Sequence, residues 1–143
     1  MAITTSSIAV GARCPHARAG VGAVATQNVT DPRLGPRLLD AMHSGLSAPD
    51  AMRQIVAGAE FAEYRQLTVV DAQGRTAVHS GSKTLGTYRS AEGDGVVAAG
   101  NLLASPEVPE AMVAAFVGAA DRDLGDRLIC GLQAAIAAGG EEG

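Results

Sequence analysis

Between Asp31 and Ser80 the apolar residues change period once, and that change limits the folds open to this chain. Leu34, Leu38, Leu39 and Met42 recur at helical spacing, with Asp31 and Pro32 placed to start a helix and Gly45 to stop it. Ser47, Ala48, Pro49 and Asp50 resemble a capping box, and Met52, Ile55 and Val56 carry a second apolar stripe toward Gly58. From Tyr64 the period falls to two. Residues 64–71 are rich in β formers, 72–74 make a turn with glycine, and 75–80 return as a second strand, which predicts a β-hairpin.

The same reading predicts strands over residues 2–10 and 21–27 and a glycine-containing loop over 81–95. A short strand follows over 96–101. Ser105 and Pro106 open a third helix that ends near Gly118, and a fourth runs from about Leu124 to Ala138. Strands, two helices, strands and two helices do not alternate singly, which argues against a doubly wound sheet and for a layered α+β sandwich. The core of that sandwich must be thin. Two Phe, two Tyr and no Trp leave Ala, Val, Leu and Ile to fill it, and their small volumes favour close approach of layers. With 143 residues, no repeat and no disordered linker, residues 1–143 form one domain.

A formal charge of -4 with scattered Arg gives no attraction for a phosphate backbone, so nucleic acid is not expected as a partner. No apolar run approaches the roughly 20 residues of a bilayer span, and no basic region precedes an apolar stretch at the start. A cytoplasmic protein with no membrane contact is expected. Cys14 and Cys130 have no CxxC partner, and His16, His43 and His79 lack ligand-spaced neighbours, so no metal is expected. No cofactor is expected either: the glycines at 20 and 22 suggest a dinucleotide turn, but Ala25 breaks the spacing and the segment reads as strand.

Thr4, Thr5, Ser6 and Ser7 are four hydroxyl residues in succession, readable as a β-compatible polar segment or as the wall of a site. Gln27 and Asn28 end one strand and Asn101 ends another, so three amides are expected at one sheet rim. Amide N–H groups suit an oxyanion, although each residue also suits a turn or a cap. His79 and Ser80 are adjacent on a strand and point to opposite faces, so His79 does not activate Ser80 by adjacency.

Several stretches taken together go beyond pattern. They are residues 9–15, 18–32, 64–67 with 69–71, 77–81 and 100–104, in which Cys14-Pro15, Gly20-Val21-Gly22, His79-Ser80-Gly81 and Gly100-Asn101-Leu102 are prominent. This set resembles the family named domain of unknown function 1028, which is grouped with the Ntn hydrolases. The resemblance implies a four-layer αββα sandwich and hydrolysis of an amide C–N bond in a small molecule by an amino-terminal Thr, Ser or Cys. The free α-amine serves as base in that chemistry, because its pKa near 8 is close to working pH. Thr4 is the candidate nucleophile, exposed by cleavage after Ile3, and Asn101 or Asn28 the candidate oxyanion donor. Ser6, Ser7, Gln27, Asn28, Arg65 and His79 are expected to line the substrate pocket, with Arg65 as a carboxylate clamp.

Members of that family begin a strand earlier and continue beyond the segment 139–143, so sheet strands are expected to be missing at both ends. Unpaired sheet edges recruit other chains, which predicts a homodimer or higher homo-oligomer. The alternative expectation is a noncatalytic ligand-binding or assembly module that keeps the fold without an amino-terminal nucleophile.

Overall fold

The computed structural model describes residues 1–5, 8 and 10–142. After a coil through Thr5 come the short helix α1 (Val10–Arg13), strands β1 (Pro15–Arg18) and β2 (Gly22–Asn28), and helices α2 (Leu34–His43) and α3 (Ala48–Ala57). A 3-10 turn (Ala62–Tyr64) leads into β3 (Arg65–Asp71) and β4 (Thr76–Ser80). Then come β5 (Arg89–Gly93), β6 (Val96–Gly100), α4 (Val108–Gly118) and α5 (Leu124–Ala137). The result is a mixed α+β fold with two antiparallel sheets, β1-β2-β3-β4 and β5-β6, and helices packed against them.

Alternation along β2 and β3 divides the first sheet into two faces with different tasks. Val24, Leu67 and Val69 point to α2 and α3, where Leu34, Leu38, Leu39, Ala51, Met52 and Ile55 complete the main core. Each helix has one apolar stripe, as the spacing predicted, and Ser47 caps α3 by accepting the Asp50 amide. The other face of the sheet carries Ala23, Ala25 and Gln27 on β2, with Gln66, Thr68 and Val70 opposite them on β3. That face looks toward β6, and α4 packs on both strands of the second sheet.

Three expectations need correction. Of the strand expected over residues 2–10, residues 2–5 are coil and Val10 opens the helix Val10–Arg13, while residues 6, 7 and 9 lie outside the described residues. Strand propensity reflects packing on a pleated surface more than a backbone preference, so β-compatible residues alone do not make a strand. The strand Pro15–Arg18 was not expected, because an edge strand that opens on proline and carries His16 and Arg18 lacks an apolar signature. Within the expected loop 81–95, Arg89–Gly93 pairs with Val96–Gly100 across the two-residue turn Asp94-Gly95, where Gly95 takes φ +67°.

Asp71 ties the β3–β4 hairpin to α3. Its carboxylate accepts the Ala48 amide at 3.0 Å and Arg75 Nε at 2.7 Å through Oδ2, and the amides of Gln73 and Arg75 at 3.0 Å through Oδ1. Burial pushes this carboxyl up, but the bonds from Ala48, Arg75 and Gln73 outweigh it and hold the pKa below the ordinary value. A carboxyl depressed on folding stabilises the protein above its unfolded pKa, and that stability is lost as pH falls through the folded pKa. Urea denaturation should therefore give constant stability from about pH 5 to 7 and a decline below about pH 4. In Asp71→Asn stability should fall by about 1–3 kcal/mol at pH 7, with a shallower acid decline. Equal acid slopes in the two proteins would remove Asp71 from this role.

Candidate functional site

A cleft of about 520 Å³ opens between the second face of the four-stranded sheet, β6, and the inner sides of α4 and α5. One wall is small because Gly22, Ala23 and Ala25 line it, and the other is built from Met112, Phe116, Leu128 and Leu132. Among the described residues no Lys or Arg lines the cleft. Met1 to Thr5 lie along it, so the candidate nucleophile Thr4, which is exposed, shares this space with Gln27, Asn28 and Asn101.

Gln27 and Asn101, which line the cleft, are both held by Gln66, which is fully buried at 0% exposure. Its Nε2 donates to Ser80 Oγ and to the Gly100 carbonyl, both at 3.0 Å. Its Oε1 accepts Gln27 Nε2 at 2.8 Å and Asn101 Nδ2 at 3.1 Å. Backbone carbonyls fix which way these amides face, because the Gly100 carbonyl can only accept and so assigns the nitrogen of Gln66. Gln27 Nε2 also donates to the Ala99 carbonyl at 3.0 Å, which uses both its hydrogens. Asn101 keeps one. Among the described residues nothing takes its second Nδ2 hydrogen.

The other expected residues are placed elsewhere or held by the frame. Asn28 sits at the cleft rim with φ +68°, donating to the Tyr64 carbonyl and accepting the Leu85 amide at 3.2 Å. Arg65 is buried and donates to the Val29 and Glu60 carbonyls, so its guanidinium pins two loops. His79 lies on the helix-facing side of the sheet, paired with Leu67, and its Nε2 donates to the Ala62 carbonyl at 2.9 Å. Ser80 points the other way, to Gln66. Ser6 and Ser7 lie outside the described residues.

The residue that sequence reasoning missed is Gln66. A signal existed: a long amide directly precedes the run Leu67 to Val70, at the position where β3 pairs with Gln27. Cys14 also borders the cleft at 1% exposure. Burial pushes its thiol up, against the smaller opposing effects of Thr30 and Arg13, so it is held as the weakly nucleophilic thiol.

Fold and site together define a mixed α+β protein whose two antiparallel sheets border a cleft lined mainly by apolar residues, with amides, threonines and Glu141 among them. The chain belongs to DUF1028, a family of unknown function whose model matches residues 1–143. It is similar to a protein of that family from Silicibacter pomeroyi, known from a crystal structure, with 30% identity and a TM-score of 0.88. The match covers 94% of this chain and 62% of that one, so the chain spans less than two thirds of that structure's length. None of the curated proteins compared matches it.

Proposed function

We infer that this chain forms the core of an Ntn-type amidohydrolase that cleaves the C–N bond of a small-molecule amide. Contacts of α2 and α3 with the first sheet, of β3 and β4 with the second, and of α4 with β5 and β6 support the αββα layer order of that superfamily. The observation that carries the reading is Asn101: its carboxamide is held by Gln66, one N–H has no partner among the described residues, and it lines the same cleft as Thr4. A donor fixed before the reaction stabilises developing charge without reorganising.

Cleavage of the Ile3–Thr4 bond would free the Thr4 amine. The amine takes the Oγ1 proton as Oγ1 attacks the substrate carbonyl, and Asn101 Nδ2 donates to the resulting oxyanion. Collapse breaks the C–N bond, and the ammonium passes its proton to the leaving amine. Water then hydrolyses the threonyl ester and restores the Oγ1 proton. Gln27 offers Oε1 to a substrate N–H. Arg65 and His79 support the frame. Asn101→Ala should lower amide turnover about 10²–10³-fold in kcat/KM, measured on protein whose intact mass shows a Thr4 start. Full turnover in that variant would sink the oxyanion assignment.

A second reading, a noncatalytic ligand-binding or assembly module, is favoured by the mainly apolar lining of the cleft. Thermal stabilisation by small amides without turnover would select it. Self-association fits either reading, since α5 exposes Leu124, Ile129 and Ile136 at 60%, 53% and 71%. Sedimentation should give a homodimer or larger, and Ile129→Glu with Ile136→Glu should shift it to monomer. A wild-type monomer at micromolar concentration would end this proposal.

A further inference from the structure

The small wall of the cleft is one face of β2 and β3, and it carries a hydroxyl that the fold does not use. Alternation puts Ala23, Ala25 and Gln27 of β2 on that face with Gln66, Thr68 and Val70 of β3, and Thr68 pairs with Ala25 on one side and Val78 on the other. Ala23, Ala25, Thr68 and Val70 all line the cleft. The two glutamines are engaged with each other and with Ala99, Gly100, Asn101 and Ser80, so Thr68 stands as the one hydroxyl among small apolar side chains of this face.

Other hydroxyls of the same sheet are bonded within the fold. Thr26 Oγ1 donates to the Arg13 carbonyl at 3.1 Å, Thr76 Oγ1 donates to Glu92, and Ser80 Oγ accepts from Gln66 Nε2 at 3.0 Å. The Thr68 hydroxyl has no partner among the described residues. Thr68 is half-buried, and among the described residues Arg65 Nε is the sealed side-chain atom that lacks a partner, so the Thr68 oxygen opens into the cleft. Valine shares the β-branch and the preference for strands, so strand propensity does not call for a hydroxyl at this position. A polar atom on an apolar wall costs stability when nothing bonds it, and a hydrogen bond from a bound molecule offsets that cost.

We propose that Thr68 is a specificity determinant of the cleft: its hydroxyl bonds a second, uncharged polar group of the substrate, carried on an apolar chain about 7 Å from the scissile amide. The spacing comes from the strand, because Gln66, which holds Asn101 and Gln27, lies two residues from Thr68 on β3. A hydroxyl both donates and accepts, so the second group is an alcohol, a carbonyl or another amide. A charge there would be buried against Ala25 and Val70, and among the described residues no Lys or Arg lines the cleft to pair a carboxylate. The chain between the two polar groups packs between the small wall and Met112, Leu128 and Leu132. This inference rests on the amidohydrolase reading, in which Asn101 marks the place of the amide carbonyl.

The test compares two amides of equal length by NMR titration: 6-hydroxyhexanamide, whose extended chain places a hydroxyl at the required distance, and heptanamide, which has a methyl group there. Wild-type protein should prefer the hydroxyamide, and Thr68→Val should lower that preference about three- to tenfold, the worth of one hydrogen bond. Thr68→Ser should keep it, and the thermal midpoint of Thr68→Val should be no lower than that of wild type. An unchanged preference in Thr68→Val would mean that water serves the hydroxyl and would overturn the assignment. Equal weakening of both amides would make Thr68 a packing residue and overturn it as well. Binding of neither amide would overturn the substrate class. Binding is read on the full chain and turnover on protein that begins at Thr4, so the two readings fail separately. Hydrolysis with an unshifted preference overturns the Thr68 assignment alone. A shifted preference without hydrolysis upholds Thr68 as the determinant of binding and overturns the amidohydrolase reading.

Discussion

Gln66→Ala should destabilise the protein by about 3–5 kcal/mol in urea denaturation, one of the two largest effects expected of a single substitution here. Four hydrogen bonds end on this one side chain, and truncation strands Gln27 Nε2, Asn101 Nδ2, Ser80 Oγ and the Gly100 carbonyl together. Each polar group left buried without a partner loses about 1–3 kcal/mol, and water entering from the cleft offsets part of the sum. Gln66→Glu separates shape from hydrogen bonding. Its carboxylate can still accept from Gln27 and Asn101 but cannot donate to the Gly100 carbonyl, and burial disfavours its charge. A carboxyl raised on folding stabilises below its unfolded pKa and loses that contribution as pH rises toward the folded value. Gln66→Glu should therefore be more stable near pH 4 than near pH 7, the reverse of the wild-type trend. A loss under about 1 kcal/mol in Gln66→Ala would show that water replaces the side chain and that Asn101 is not fixed through it.

The parts of the fold that were legible in sequence are those whose burial leaves a periodic trace. Helices α2 and α3 and the strands β3 and β4 each place one face on the main core, so Leu34, Leu38, Met52, Leu67 and Val69 fall at the spacing their element demands. Strands β1 and β5 left none. Both carry polar or small residues in a two-sided or edge setting, and their pairing is decided by neighbours distant in sequence. The site divides in the same way. Gln27 and Asn101 were visible as amides at strand ends, and both border the cleft. What they bond to was not visible, because the contact with Gln66 spans 39 and 35 residues and depends on two sheets meeting. Arg65 shows the opposite failure. An arginine at a strand end suggested a ligand clamp, but the loops beside it use the guanidinium to satisfy carbonyls that no strand partners.

Gly81→Ala should have a comparable effect, about 4 kcal/mol of lost stability, and for a purely steric reason. A Cβ at Gly81 would stand 2.3 Å from the Glu63 carbonyl oxygen, 2.4 Å from its carbon and 2.5 Å from the Ala62 carbonyl oxygen. All three atoms are backbone, so no rotamer change relieves the overlap and the 3-10 turn Ala62–Tyr64 must move. That turn is held from three directions: His79 Nε2 donates to Ala62, the Lys83 amide donates to Glu63 at 2.7 Å, and Asn28 Nδ2 donates to Tyr64. Moving it loosens Asn28 at the cleft rim as well as the end of β4, where the Gly81 amide bonds the Arg65 carbonyl at 2.9 Å. Gly118→Ala supplies the contrast. Nothing lies within 4 Å of a Cβ at the last residue of α4, so this variant should be neutral or more stable by up to about 1 kcal/mol through helix propensity. Equal denaturation midpoints for the two variants would mean that the turn yields to Gly81→Ala at little cost. The rim of the cleft would then be set by Arg65 and Asn28 without help from the close approach at Gly81.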